Sequence, residues 1–341
     1  MTFKMVVENP GFLTTVQDLG RYGYQQFGMP VAGAMDDYAL QAANLLVGNP
    51  RGEAGLEITY SGFSTRFEGR GRVAVTGADI GAKLNGRPLE PWQSVVVEDG
   101  DMIVFTAVKK GCRAYMALEG GVSVPEVMGS KSTYIKAEIG GYNGRKLVKG
   151  DVLESGEKGH INFEGSIRVP DEFLPQYSGD VKVRLVMGPQ DDCFPPEEIE
   201  KFLNSKYAVT NQCDRMGYRL EGPAIKHSSG PDIISDGIAL GAIQVPGHGR
   251  PIIMMRDRQT TGGYTKIANV ISVDIPLLAQ LKPGDRVSFT RVSVEEAQAL
   301  FREREELLKR LEDYLRSKDK FFNYCVKIRD REFRISVQRL L

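Results

Sequence analysis

Histidine and cysteine are scarce in this chain, and each scarcity removes a class of chemistry. Cys112, Cys193, Cys213 and Cys325 are the only four cysteines in 341 residues, and they share no paired spacing. That pattern argues against a disulfide framework and for thiols in a reducing compartment. The three histidines, His160, His227 and His248, are equally scattered. No local His/Cys spacing marks a metal site, and no Ser/His/Asp order suggests itself. His248, in Gly247-His248-Gly249, is the histidine nearest to a polar, glycine-rich stretch.

Net charge is also missing. Lys+Arg at 44 balances Asp+Glu at 44, which argues against a nucleic-acid binder led by electrostatics. No run approaches the roughly 20 apolar residues of a spanning helix. The opening Met1–Pro10 lacks the apolar core of a signal peptide, so a soluble, cytoplasmic protein is expected. There is no Gly-x-Ser-x-Gly elbow and no Met-Lys-Met tract of the kind that carries biotin. Gly129-Ser130-Lys131-Ser132-Thr133 ends like a phosphate loop, but the glycine such a loop needs upstream is lacking.

Glycine, at 38 residues, and short β-rich runs are abundant. Val73–Thr76, Val95–Val97, Met102–Phe105, Val181–Met187 and Arg286–Phe289 read as strands bounded by Gly, Pro or Asp. Helices are few. One is expected from Asp36 to Val47, with Asp36 as N-cap, Gly48 after its end and Pro50 as a stop. Another is expected over Pro195–Asn204, with Glu197, Glu198 and Glu200 near its positive end. The chain length suits two domains. Gly100-Asp101 and Gly284-Asp285 each feed a strand, an echo consistent with two related β domains. The polar, Pro-containing stretch Val169–Asp180 is the expected boundary. The division is therefore an N-terminal β domain over 1–168, a C-terminal β domain over 169–290 and an extension over 291–341.

In the extension, Ser293 and Glu296 form a capping box. Ala297, Leu300, Leu307, Leu308, Leu311 and Leu315 then fall on one helical face. Tyr324, Val326 and Ile328 alternate, Arg329-Asp330-Arg331 turns, and Phe333, Ile335 and Val337 alternate again. This predicts a hairpin with one apolar face, which must dock to be stable.

Five polar segments could carry chemistry. Arg256–Lys266 packs Asp257, Gln259, Thr260, Thr261, Gly262, Gly263, Tyr264 and Lys266 between two apolar runs. It reads as a strand, a polar glycine turn and a second apolar element, suited to a small polar ligand. The others are Thr14–Gly23, Gly28–Asp36, Asp214–Gly222 and Ile234–Pro246. Each places a carboxylate or amide beside glycine. Arginine suits a carboxylate or phosphate through its bidentate fork. The same residues also suit plainer roles. Thr260–Gly263 could be an ordinary hairpin turn, and Asp18 with Arg21, or Asp214 with Arg215 or Arg219, could be ion pairs bracing turns.

These segments in this order resemble the KipA/PxpC family, also described as allophanate hydrolase subunit 2 or biotin-dependent carboxyltransferase-like proteins. The matching text is TTVQDLGR at 14–21, GAMD at 33–36, ANLLVGN at 43–49, DRMGYRLEGP at 214–223, SDG at 235–237, IQVP at 243–246 and QTTGGY at 259–264. The resemblance spans roughly residues 6–315; the tail resembles the opening hairpin of a biotinyl carrier domain without its lysine motif.

The resemblance implies a mainly β fold of two cyclophilin-like barrels with a few short helices, followed by the C-terminal helix and hairpin. It implies a KipI/PxpB-like partner protein. One associated activity is ATP-dependent 5-oxoprolinase, in which a PxpA-like third protein joins to open 5-oxo-L-proline to L-glutamate. A second is carboxyl transfer from biotin to urea. A third is a non-catalytic adaptor that antagonises a KipI-type kinase inhibitor. The first is the expected role, that of a hydrolase component active only in complex, with ATP bound by this chain or its partner and no covalent biotin. Site expectations follow. Asp18, Asp257 and Arg215 are the catalytic candidates. Arg21, Asp36, Arg219, Gln244, Gln259, Thr260, Thr261, Tyr264 and Lys266 are the candidates for holding a small amide-bearing substrate. The two polar turns around Asp18 and Gln259 are expected to meet at one pocket.

Overall fold

The computed structural model describes residues 2–157 and 165–318, together with the backbone of 321–328 and 331–338. His160 and the expected turn residues Arg329 and Asp330 lie outside the described residues.

The chain is mainly β. Its first unit holds two six-stranded sheets. One runs Val152–Glu154, Lys4–Pro10, Phe63–Glu68, Met102–Phe105, Ala82–Leu84, Arg87–Pro88; the other runs Ile167–Arg168, Gln93–Val97, Gly71–Asp79, Lys110–Leu118, Gly55–Thr59, Leu13–Gln17. Their inner faces share one core that includes Met5, Val7, Phe63, Phe67, Leu56, Val73, Val75 and Met116. Phe63–Glu68 alternates buried and half-buried positions, as a strand with one wet face should. Gly71–Asp79 is buried at almost every position. Its second face is covered by helix α1, Asp37–Leu46, which also packs on Lys110–Leu118.

Helix α1 begins where the sequence places a cap. The Asp36 carboxylate accepts from the Ala39 N–H, and Gly48 follows the last turn with φ +77°. Helix α2, Pro196–Asn204, carries Glu197 and Glu198 in its first turn. Helix α3, Ile275–Ala279, lies between the units, and α4, Val294–Ser317, follows the second. The Ser293–Glu296 capping box closes on both sides. Leu308, Leu311 and Leu315 of α4 are buried in a cluster with Leu40, Ala43 and Leu46 of α1, so the extension returns to the first unit.

The second unit is a closed seven-stranded barrel. Asp180–Met187 pairs with Lys266–Val270, then come Ala242–Gln244, Ile252–Met254, Gly217–Glu221, Tyr207–Cys213 and Arg286–Arg291. Arg286–Arg291 runs parallel to Asp180–Met187 and closes the ring. Met35, which precedes α1, is buried in the barrel's core cluster. The hairpin strands Phe321–Ile328 and Arg331–Gln338 pair with each other, from Phe321 opposite Gln338 to Ile328 opposite Arg331.

The Gly–Asp echo is a repeated turn, and it occurs three times among the described residues. Gly100, Gly150 and Gly284 all have φ between +84° and +89°. In each case the following aspartate, Asp101, Asp151 or Asp285, accepts from the backbone N–H three residues earlier, at 2.8, 2.8 and 3.0 Å. Each turn also exchanges the same two backbone bonds with a neighbouring strand, at Phe67, Val7 and Val209.

One local expectation changes. The segment after Gln259 is a strand, Thr261–Tyr264, paired with Asp232–Gly237 in a two-stranded ribbon beside the barrel. Pairing with a partner some 30 residues upstream is a non-local event that turn composition cannot signal.

Candidate functional site

The boundary between the two units is polar and buried. Glu57 sits at the centre of the strand Gly55–Thr59 and is 1 % exposed. Its Oε1 accepts from Arg215 Nη1 at 2.5 Å, and its Oε2 accepts from the Tyr115 hydroxyl and the Met35 N–H, both at 2.7 Å. Arg215 reaches on to Asp257 through Nε at 3.0 Å and Nη2 at 2.9 Å, and donates to the Gly33 carbonyl at 2.7 Å. Burial alone would drive Glu57 up, but Arg215 and Arg113 outweigh it and hold the carboxyl below its ordinary range. Burial likewise opposes the Arg215 charge, and Asp257 and Glu57 overcome it, holding Arg215 above its ordinary value. Burial pushes Asp257 upward against the pull of Arg215. Beside this core, Arg113 donates from Nη1 to the Tyr218 hydroxyl at 2.7 Å and to the Ala279 carbonyl at 2.5 Å. Both carboxylate oxygens of Asp257 face Arg215, so the catalytic candidates Arg215 and Asp257 form one bidentate pair within the second unit, and Arg215 ties it to the first through Glu57 and Gly33.

Asp18 is committed to a loop. Its Oδ1 accepts from the Gly20 N–H and the Ser130 and Ser132 hydroxyls, and its Oδ2 accepts from the Lys131 N–H at 2.6 Å. Arg21 is fully buried and donates to the carbonyls of Val127 and Ser132, both at 2.9 Å, while its Nη1 has no partner. Burial lowers the Arg21 pKa. Together they clamp the 127–133 segment, including the stretch that ends like a phosphate loop. Asp36 caps α1 and also accepts from Tyr177 at 2.6 Å and Gln280 at 2.8 Å. Burial raises its pKa to about 6. Lys266 is buried and reaches Asp236 on the ribbon at 3.1 Å. Among the described residues Asp214 pairs with no arginine; its Oδ1 accepts from the Met216 and Gly217 N–H groups.

Four expected substrate residues do converge. Arg219, Gln244, Gln259 and Tyr264 line a cavity of about 300 Å³, with Asp214, Met216 and Met254. Lys136, from the first unit, completes the wall and touches the Met216 sulfur. The loop carrying Lys136 continues directly from the segment clamped by Asp18 and Arg21. The two turns expected to meet at one pocket do not: Gln259 lines the cavity, Asp18 and Arg21 do not, and only the loop that follows their clamped segment reaches it. Gln244 is 2 % exposed, and its Nε2 has no partner. Gly262 allows this placement. A Cβ there would lie 3.0 Å from Gln244 Nε2 and 2.7 Å from Ile238 Cδ1. Thr260 and Thr261 lead into the ribbon and do not line the cavity. His248 lies in an adjoining groove of about 520 Å³ that shares Arg219 and Ile252 with the cavity.

A larger cavity, about 870 Å³, lies between α4 and residues 172–176. Arg184 pairs there with Asp274 and Arg304 with Asp37, and no expected site residue lines it. The smaller cavity, where four of the expected residues converge on a buried amide without a partner, is the better candidate for a site. Among the described residues no cluster of His, Cys, Asp and Glu could hold a metal ion, and no helix is long and apolar enough to cross a membrane.

Sequence reasoning missed Glu57 and Lys136. Glu57 has a readable signal, a lone carboxylate in the otherwise apolar Gly55-Leu56-Glu57-Ile58-Thr59. Lys136 has none, because only the fold carries its loop to the second unit.

Known proteins align with this architecture. The model of the family described as Carboxyltransferase domain, subdomain A and B, matches residues 27–291. The C subunit of 5-oxoprolinase from Escherichia coli is 38% identical over 287 residues, 84% of this chain and 91% of that relative. Its counterpart of the same name from Haemophilus influenzae is 35% identical over 85% of this chain and 92% of its own length. The crystal structure of the K. lactis urea amidolyase superposes with a TM-score of 0.86 at 33% identity, over 90% of this chain but 20% of that much longer one. The barrel, the sheets and these alignments agree, and the chain belongs to the family of carboxyltransferase domains with subdomains A and B.

Proposed function

We propose that this chain is the PxpC-type component of an ATP-dependent 5-oxoprolinase, acting with a KipI/PxpB-like protein and a PxpA-like protein to open 5-oxo-L-proline to L-glutamate. The observation that supports it most is the buried, unpartnered Gln244 amide facing a small cavity, in a chain 38% identical to the C subunit of a 5-oxoprolinase. A lactam carbonyl is a poor electrophile, and ATP supplies the phosphoryl group that makes its carbon attackable. The chain's part is to hold the lactam. Gln244 donates to the carbonyl oxygen, where negative charge develops, Gln259 and Tyr264 bound the ring, and Arg219 and Lys136 make the pocket wall positive. Arg215, Asp257, Asp18 and Arg21 set the walls by fixing the second unit and the 127–133 segment. The Ser130 and Ser132 hydroxyls are engaged by Asp18. ATP is accordingly assigned to the complex rather than to that segment.

The TM-score of 0.86 with a urea amidolyase favours a second reading, transfer of a carboxyl group to urea, which would use the same amide donor. One experiment separates them. The chain is reconstituted with its two partners, and glutamate is measured with ATP and 5-oxoproline, in parallel with urea carboxylation by a biotinylated carrier. Glutamate formation that depends on this chain supports the first reading. Urea carboxylation alone would replace it, and partner binding with neither turnover would indicate an adaptor.

A further inference from the structure

We propose that the cavity is a subsite for a small carboxylate that also bears a carbonyl group. Lys136 and Arg219 take the carboxylate, and Gln244 donates to the carbonyl oxygen. This deepens the functional reading above and rests on it for the identity of the reacting molecule.

Charge carries the argument. Two cations line the cavity, and neither forms an ion pair or a hydrogen bond to an oxygen among the described residues; Lys136 meets only the Met216 sulfur. The one carboxylate in the wall, Asp214, has its Oδ1 engaged by two backbone N–H groups. At the boundary nearby, by contrast, Arg215 is matched by both Glu57 and Asp257. A pair of unmatched cations across a pocket of about 300 Å³ is the complement of a small anion.

The second half of the ligand is read from Gln244. A buried amide N–H₂ without an acceptor is costly unless a ligand oxygen supplies one. Gly262 keeps the space in front of Nε2 clear. A carbonyl oxygen meets Gln244 while a carboxylate on the same molecule reaches the mouth, where Lys136 and Arg219 are exposed. A lactam bearing a carboxyl group satisfies both ends. Urea satisfies only one, so the cations give the pocket a means of preferring the acid.

The test uses the reconstituted complex with three probes: 5-oxoproline, 2-pyrrolidinone, which is the same lactam without the carboxylate, and urea. Binding is measured by calorimetry, and the KM for 5-oxoproline by glutamate release. The expected result is about tenfold or more tighter binding of 5-oxoproline than of 2-pyrrolidinone or urea. K136Q and R219Q should each raise the Kd and KM for 5-oxoproline by about tenfold and leave 2-pyrrolidinone unchanged. Q244L should weaken both lactams. Lys136 and Arg219 are exposed and unpaired, so these variants fold. Equal affinity for the two lactams, or no binding of 5-oxoproline by the complex, would overturn the subsite. Glutamate release with unaltered KM in K136Q and R219Q would overturn it while the functional reading stands. Acid-selective binding lost in K136Q, with no glutamate from the wild-type complex, would leave the subsite and remove that reading.

Discussion

Glu57 and Arg215 meet across the boundary of the two β units at 2.5 Å, and neither has access to solvent worth a hydrogen bond. Their contact is one link in a continuous buried chain. Asp257 holds Arg215, Arg215 holds Glu57, Glu57 accepts from Tyr115, and the Tyr115 hydroxyl accepts in turn from the Asp36 N–H at 2.8 Å. Asp36 is then fixed by Tyr177 of the inter-unit segment.

Removing the Glu57 charge leaves Arg215 and Arg113 buried with less compensation. E57Q should therefore lose about 3–5 kcal/mol of stability near neutral pH, measured by urea denaturation. The pH dependence has a definite sign. Because the folded-state pKa of Glu57 lies below its ordinary 4.5, its contribution is present above 4.5 and is lost as pH falls through the folded value. The stability gap between wild type and E57Q should narrow on acidification below pH 4.5. A gap that widens there would show that Glu57 is not the charged partner of Arg215.

Gly262 has a second neighbour besides the amide, since a Cβ would also press on Ile238. G262A should cost about 1–3 kcal/mol through overpacking. It should weaken 5-oxoproline binding more than G263A, because the nearest atom to a Cβ at Gly263 is 3.3 Å away, within ordinary reach of adjustment. Paired melting curves and titrations of the two variants decide this; equal effects on binding would dissociate Gly262 from Gln244.

The three repeated turns offer a matched set. Gly100, Gly150 and Gly284 share a left-handed backbone, and no heavy atom stands within 4 Å of a Cβ at any of them. Alanine at each should cost a similar amount, about 1–2 kcal/mol, from conformation alone. Thermal melts of the three single variants should agree closely. A much larger loss at one position would mean that its turn does more than redirect the chain.

The elements that can be read from the sequence are those whose cause is local. The Asp36 cap, the Ser293–Glu296 box and the valine-rich strands each need only a few neighbouring residues, and each stands where the sequence puts it. The Gly–Asp echo is legible twice, and its third copy at Gly150-Asp151 is hidden because the strand after it is only three residues long. The candidate site is legible in part. Arg219, Gln244, Gln259 and Tyr264 share a wall, whereas an aspartate beside an arginine looks the same in sequence whether it faces a ligand or clamps a loop as Asp18 does. Lys136 and Glu57 escape notice because their partners lie far along the chain, Lys136 reaching the second unit and Glu57 meeting Arg215.

The cavity takes its lysine from one half of the molecule and its glutamine from the other. Cutting the chain between residues 169 and 180 would thus put the two recognition groups on separate fragments. Ligand capture would reappear only when the fragments were mixed, so the pocket itself would report whether the halves had found each other.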